Sequence, residues 1–241
     1  MFRGLYTGAS GMLGELVRVD VISNNLANSS TVGYKRDQAV FRSYPEVFVF
    51  ELKRLQDPHP VGSLGTGVFL DQVVTPDISG PFIPSDRALD IAVKNGYLVV
   101  ETPQGERYTK NGRLLVNNNG YLVTSDGYRV LGERGPIFIG QGEPMINQRG
   151  EVILNNHTLD TLRVVNPQQG VIEKIGNNLL NFNPTSIQPY IEPFALENSN
   201  VNTVREMVEL ISAYRAYESN QKVIQAEDGI TDRLISDLGR F

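Results

Sequence analysis

Along the first thirty residues, apolar positions recur at alternating spacings of four and three: Leu5, Ala9, Met12, Leu16 and Val19, then Ser23 as a polar interruption, then Leu26. That period predicts a helix with one apolar seam about three heptads long. The same stretch holds Gly4, Gly8, Gly11 and Gly14. Each glycine inside a helix costs roughly 1 kcal/mol relative to alanine, so this helix is unstable alone. Glycines three and four apart also leave a smooth ridge on which a second backbone can approach closely. The run from Asn24 to Gly33, rich in asparagine, serine and threonine, predicts the helix end and a turn.

The far end mirrors the beginning. Met207, Leu210, Tyr214, Tyr217, Gln221, Ile224, Asp228, Thr231, Ile235 and Leu238 keep the same three-four spacing, apolar at first and polar in the middle. Val204, Val208 and Ile211 add a second apolar row. No proline follows Pro193, and Asn200 or Asn202 can cap, so a helix from about Val201 to Leu238 is predicted, roughly 55 Å long at 1.5 Å per residue.

The period changes between the helices. Short β-prone runs at 97–102, 107–110, 113–116, 121–124 and 128–131 are separated by turn sequences, with Asn111-Gly112, Asn119-Gly120 and Asp126-Gly127 as hairpin signals. Further runs follow around 135–139, 144–146, 151–154 and 161–165. The pattern predicts an α+β protein: long N- and C-terminal helices pairing as a coiled-coil-like stalk, with a central antiparallel all-β domain. The expected divisions are a helix and turn over 1–40, an extended connector over 41–90, the β domain over 91–167, a return connector over 168–200 and the second helix over 201–241.

Composition narrows the chemistry. The 241 residues include no cysteine and two histidines, which removes disulfides, thiolate metal sites and a cysteine nucleophile. A net charge of -5 argues against a nucleic-acid binder, which presents a concentrated basic face. Apolar runs such as 47–50 and 97–100 are far below the roughly 20 residues that span a bilayer, and no cleaved signal is read at the N-terminus. Gly65-Thr66-Gly67 lacks the context of a phosphate-binding loop and reads as a tight turn. His59 lies between prolines and His157 at a hairpin tip, neither at ligand spacing from another histidine. Asp86 and Asp90 form a carboxylate pair of the kind that hydrolyses glycosidic bonds, although loop acids are usually solvated. Glu227, Asp228, Asp232 and Asp237 make an acidic helix face that is either solvated or matched to Arg3, Arg18, Lys35 or Arg36. No cofactor or metal is expected.

Several motifs in order along nearly the whole chain resemble the bacterial flagellar rod and hook proteins. They are Gly8-Ala9-Ser10-Gly11-Met12, Asn24-Asn25-Leu26-Ala27-Asn28 and Thr31-Val32-Gly33-Tyr34-Lys35-Arg36 near the start. Near the end stand Ser199-Asn200-Val201-Asn202, Glu206-Met207 and Arg215-Ala216-Tyr217-Glu218-Ser219-Asn220-Gln221-Lys222-Val223. Between them lie Gly65-Thr66-Gly67-Val68, Leu89-Asp90-Ile91-Ala92-Val93, Tyr108-Thr109-Lys110-Asn111-Gly112 and Gly120-Tyr121-Leu122-Val123. The resemblance implies a structural subunit of the basal-body rod, not an enzyme, whose terminal helices polymerise into an axial tube around the export channel. It implies as partners other copies, other rod proteins, hook–basal-body components and the flagellar type III export apparatus, with a periplasmic location reached without a cleaved signal. The β domain points to the larger rod members, and Lys94-Asn95-Gly96-Tyr97-Leu98 in place of a Gly-x-Gly-Phe-Phe stretch favours the proximal type over the distal. With four glycines in the first helix and a polar middle to the second seam, both helices are expected to order only when neighbours bury them. The rival readings are a peptidoglycan-cleaving enzyme using Asp86 and Asp90, and an adaptor whose helices bind one fixed partner.

Overall fold

A computed structural model describes residues 2–51, 59–168, 172–176 and 178–238, with side chains described within 4–47, 62–168, 172–176 and 178–236. The chain divides into two compact units. The first holds 1–26, 37–74 and 203–241; the second holds 27–36 and 75–202. The expected boundaries at 40 and 90 therefore shift: the turn after the first helix groups with the β unit, and much of the expected connector groups with the helices.

In the first unit, helix α1 spans Phe2–Ala27 and helix α2 spans Thr203–Leu238. At 36 residues α2 is about 54 Å long. It begins two residues later than predicted because Asn200 is engaged elsewhere, accepting from Arg36 N–H at 2.7 Å and donating to Ile78 O at 2.9 Å. Asn202 is left at the cap position. The stretch after α1, expected as an extended connector, forms paired strands. Strand β1 (Gln38–Ser43) pairs antiparallel with β4 (Val68–Val74), and β2 (Val47–Glu51) with β3 (His59–Leu64). Weak apolar alternation hides β1 and β4, where no residue is fully buried to enforce it.

In the second unit, β5 (Phe82–Pro84) and β6 (Ile91–Val93) precede β7 (Tyr97–Thr102), β8 (Gly105–Thr109), β9 (Leu114–Val116), β10 (Leu122–Thr124), β11 (Arg129–Gly132) and β12 (Gly135–Pro136). Then come β13 (Met145–Ile146), β14 (Glu151–Leu154), β15 (His157–Thr161) and β16 (Val164–Pro167). The expected return connector instead supplies β17 (Glu173–Lys174), β18 (Leu179–Asn181), β19 (Pro184–Ile187), β20 (Ile191–Pro193) and β21 (Ala195–Glu197). The main antiparallel sheet runs β17-β18-β8-β7-β11-β10-β9, with β16 also on β7 and β19 on β16. Strand β7 is its axis. Alternation sends Leu98 and Val100 to a large cluster with Leu114, Leu122 and Ile191, and Tyr97 and Val99 to a second with Tyr108, Ile172 and Phe182.

The hairpin signals at Asn119-Gly120 and Asp126-Gly127 join β9 to β10 and β10 to β11. Asn111-Gly112 does not make a hairpin, because β8 pairs with β7 and β18 while β9 pairs with β10. Its Gly112 carbonyl accepts from Ile91 N–H at 3.0 Å, so closely that a methyl at Gly112 would overlap the Ile91 carbonyl. The glycine there serves chain crossing. Asn155 and Asn156, both at positive φ, turn β14 into β15, and His157 follows them on β15.

Candidate functional site

The glycine ridge of α1 lies against α2, and the helices run antiparallel. A methyl at Gly4 would meet Glu227 Cδ at 3.0 Å, one at Gly8 would meet Ile224 Cγ1 at 3.2 Å, and one at Gly11 would meet Asn220 Nδ2 at 2.9 Å. Further along, Val19 and Ile22 bury against Ala213, with Leu210 beside them. At the far end Asn25 Nδ2 donates to Glu206 Oε2 at 3.2 Å and to the Asp37 carbonyl at 2.9 Å, while Asp37 N–H donates back to Asn25 Oδ1. The inner row of α2 is thus Glu206, Leu210, Ala213, Asn220, Ile224 and Glu227.

The predicted seam residues fall into two groups. Val19, Leu210 and Ile224 belong to the inner contact, while Leu5, Ala9, Met12, Leu26 and Tyr217 are half-buried. Leu16 on α1 is 48% exposed. Val204, Met207, Val208, Ile211, Tyr214 and Ile235 on α2 are also exposed, Ile211 at 53%. Gln221 and Asp228 are exposed as well, and Thr231 donates its hydroxyl to the Glu227 carbonyl. The side chain of Leu238 lies outside the described residues, as do those of Arg3, His59 and Asp237. On the acidic face, Glu227 packs on Gly4, Arg18 pairs with Glu15 at 3.9 Å, and Lys35 pairs within the β unit.

The motif residues just after α1 are built into that β unit. Asn28 Oδ1 accepts from the Thr31 hydroxyl, and Gly33, at φ 71°, donates its N–H to the Glu197 carbonyl at 2.8 Å. The buried Tyr34 ring carries Lys174 Nζ over its face at 3.9 Å. Lys35 and Glu197, each 1% exposed, form an ion pair at 2.8 Å. Lys35 Nζ also donates to Ile78 O at 2.9 Å and lies 3.7 Å from Asp77; Glu197 Oε1 also accepts from Gly80 N–H at 3.0 Å. Lys110 Nζ, buried over the Tyr97 ring, donates to Gly96 O at 2.8 Å and stands 3.5 Å from Glu197 Oε2. Tyr97 Oη donates to Asp77 Oδ1 at 2.5 Å. Burial lowers the Lys110 pKa against the pull of Glu197. Burial, then the bond to Asp77, raises the Tyr97 phenol above the ordinary tyrosine range.

The carboxylates Asp86 and Asp90 are differently placed. Asp86 is exposed, whereas Asp90 is buried and accepts from Ser85 Oγ at 2.7 Å. Among the described residues no cluster of histidine and acidic side chains could hold a metal ion, and no helix is long and apolar enough to cross a membrane. Ser199, buried, and Val201, half-buried, precede α2; Ala27 ends α1 exposed, and on α2 Arg215 and Glu218 are exposed while Ala216 is half-buried. Sequence reasoning did not bring Asp77, Lys110 and Glu197 together in the β unit, nor place Glu206, Asn220 and Glu227 on the inner side of α2. Lys110 stands inside the 108–112 motif, but nothing in a linear sequence pairs it with a glutamate so far along the chain, and only the glycine ridge signals what faces it.

Three family models match successive parts of the chain: "Flagella basal body rod protein" over 5–35, "Flagellar hook protein FlgE/F/G D1 domain" over 93–154 and "Flagellar basal body rod FlgEFG protein C-terminal" over 193–237. The flagellar basal-body rod protein FlgG of Caulobacter vibrioides is 32% identical, with 94% of this chain and 95% of the relative aligned. The chain belongs to the flagellar basal-body rod protein family. Another rod-family relative, FlgF of the same organism, is 30% identical over the full length of both chains. The flagellar hook-basal body complex protein FlhO of Bacillus subtilis is 29% identical, also over both full lengths. The first and last rod-family matches coincide with α1 and its turn and with the approach to α2 and α2 itself, while the middle match covers β7 through β14.

Proposed function

We propose that this protein is a structural subunit of the bacterial flagellar basal-body rod, polymerising through its terminal helices into the axial tube that transmits torque and encloses the export channel. Family membership supports the rod assignment and, with it, contact with other rod and basal-body components. The observation that carries the polymerising role is the apolar surface left on both helices after they have packed together. Tyr6, Leu13 and Leu16 on α1 and Val204, Val208, Ile211 and Tyr214 on α2 are exposed. Full burial of each such side chain is worth about 1.5–3 kcal/mol, a driving force that one copy leaves unused. Self-association extends the helix pair into a coiled-coil-like stalk shared between copies. Passage through the type III export apparatus without a cleaved signal, the periplasmic location and the proximal-rod position complete the reading.

A catalytic role finds less support, since the buried Asp90 is held by Ser85 and its neighbour Asp86 faces outward. Electron microscopy of concentrated protein, alone and with other rod proteins, tests the proposal. Filaments or short rods are expected. A complex of fixed one-to-one stoichiometry with a single partner would replace the rod subunit with an adaptor. Immunolabelling of purified basal bodies tests the position, and label confined to the distal end of the rod would overturn the proximal assignment.

A further inference from the structure

Residues 28–36 follow directly on α1, yet their polar groups close on segments distant in sequence. Gly33 N–H donates to the Glu197 carbonyl at 2.8 Å, Arg36 N–H to Asn200 Oδ1 at 2.7 Å, and Asn200 Nδ2 to Ile78 O at 2.9 Å. Asn178 Nδ2 donates to Val32 O at 2.8 Å, and Lys174 Nζ to Lys35 O at 2.5 Å. The deepest members are charged. Lys35, Lys110 and Glu197 are each 3% exposed or less, and Asp77 completes two cations and two anions around them. Glu197 Oε2 makes no hydrogen bond and has Lys110 Nζ 3.5 Å away.

We infer that this cluster is a clamp that makes folding of the β unit conditional on both roots of the chain, 27–36 from the N-terminal side and 195–200 from the C-terminal side. The physical basis is electrostatic. A carboxylate or ammonium removed from water costs several kcal/mol unless paired and hydrogen-bonded. If Lys35 is absent, Glu197 keeps the Gly80 N–H and the longer contact to Lys110 but loses its closest cation. If Glu197 is absent, two ammoniums are buried with only the half-exposed Asp77 as anion. Neither half of the cluster is stable without the other, and the halves lie 162 positions apart. The segment after α1 is therefore a folding element of the β unit. A chain whose C-terminal root has not yet arrived keeps the Lys35 site open, so the β unit closes only once the strand up to Glu197 is present.

Hydrogen exchange of the full-length chain tests this at monomer concentrations, where assembly plays no part. Lys35→Met is expected to lower protection by about 150- to 5,000-fold, the loss that follows from breaking a buried pair. The loss should be concerted across 77–80, 96–112 and 195–200 as well as 31–36. Arg42→Met, which breaks the exposed Arg42–Asp71 pair of the other unit, should leave those segments unchanged. Failure of Lys35→Met to accumulate folded while Arg42→Met folds normally counts as the complete form of the same loss. Glu197→Gln keeps the side-chain shape and the bond from Gly80 but removes the buried anion that both Lys35 and Lys110 face, and is expected to show a loss at least as large over the same segments. Wild-type protection at 77–80 and 96–112 in both variants, with changes confined to the substituted segment, would overturn the clamp.

Discussion

Replacing Gly33 by alanine is the most discriminating perturbation, because the same chemical change elsewhere has the opposite sign. Gly33 has φ 71°, a conformation that costs an L-residue roughly 1–2 kcal/mol. A methyl there would lie 2.5 Å from the Lys110 carbonyl carbon and 2.8 Å from Asn111 N. Those contacts are backbone, so no rotamer change relieves them, and overpacking of this kind typically costs about 1–3 kcal/mol more. The sum is a loss of about 2–5 kcal/mol. Gly229 provides the contrast. It lies inside α2 with nothing within 4 Å of where a methyl would stand, so Gly229→Ala should gain about 1 kcal/mol of helix stability from propensity alone. The protein has no tryptophan, and its buried tyrosines, Tyr34, Tyr97 and Tyr108, all lie in the β unit, so near-ultraviolet circular dichroism in urea mainly follows that unit, and the far-ultraviolet signal mainly follows the helices. Gly33→Ala should lower the near-ultraviolet midpoint, and Gly229→Ala should raise the far-ultraviolet helix signal while leaving that midpoint in place. A Gly33→Ala variant within about 0.5 kcal/mol of wild type would refute the packing argument.

The remaining expectations concern assembly and pH. Leu16→Asp and Ile211→Asp, both at exposed apolar positions, should abolish filament formation and motility while the β-unit spectrum is unchanged; motile mutants would remove the exposed rows from the interface. Dilute monomer should show less helix by circular dichroism than the assembled form, and full helicity at low concentration would rule out ordering on assembly. Tyr97 and Tyr108 have raised pKa values, both chiefly through burial. Above about pH 10 the unfolded chain releases their protons while the folded one retains them, so stability falls as pH climbs through that value. In a spectrophotometric titration these two tyrosines should ionise last, together with unfolding, and Tyr97→Phe should weaken the alkaline loss. Lys110 acts oppositely. Its folded pKa is lowered, so approaching the ordinary lysine value from below the unfolded chain binds more protons and stability rises with pH. Lys110→Met should flatten that rise in urea titrations taken between neutrality and about pH 10.

The linear sequence determined the two helices, the β-rich middle and most of its turns, since each is written in a local period or a turn dipeptide. The three-four spacing places α1 and α2 close to their observed ends, and Asn119-Gly120 and Asp126-Gly127 form the hairpins they signal. What the period leaves open is which side of a helix turns inward. Met207, Tyr214, Gln221 and Asp228 satisfy the heptad as well as Glu206, Ala213, Asn220 and Glu227 do, and it is the second row that the folded chain turns toward α1, with Asn220 and Glu227 against its glycines. Asn111-Gly112 carries the same dipeptide signal as its neighbours, yet it serves a crossing at Ile91 that depends on the earlier strand β6. The buried charges were the least legible of all. Lys35 and Glu197 look like surface residues in a chain that is 20% charged, and their cost of burial is offset by each other and by partners also distant along the chain, Ile78, Gly80 and Lys110. Local chemistry fixes elements; pairing across 162 positions is decided by the folded chain, because a charge in the interior is stable only where a distant segment delivers its counterion.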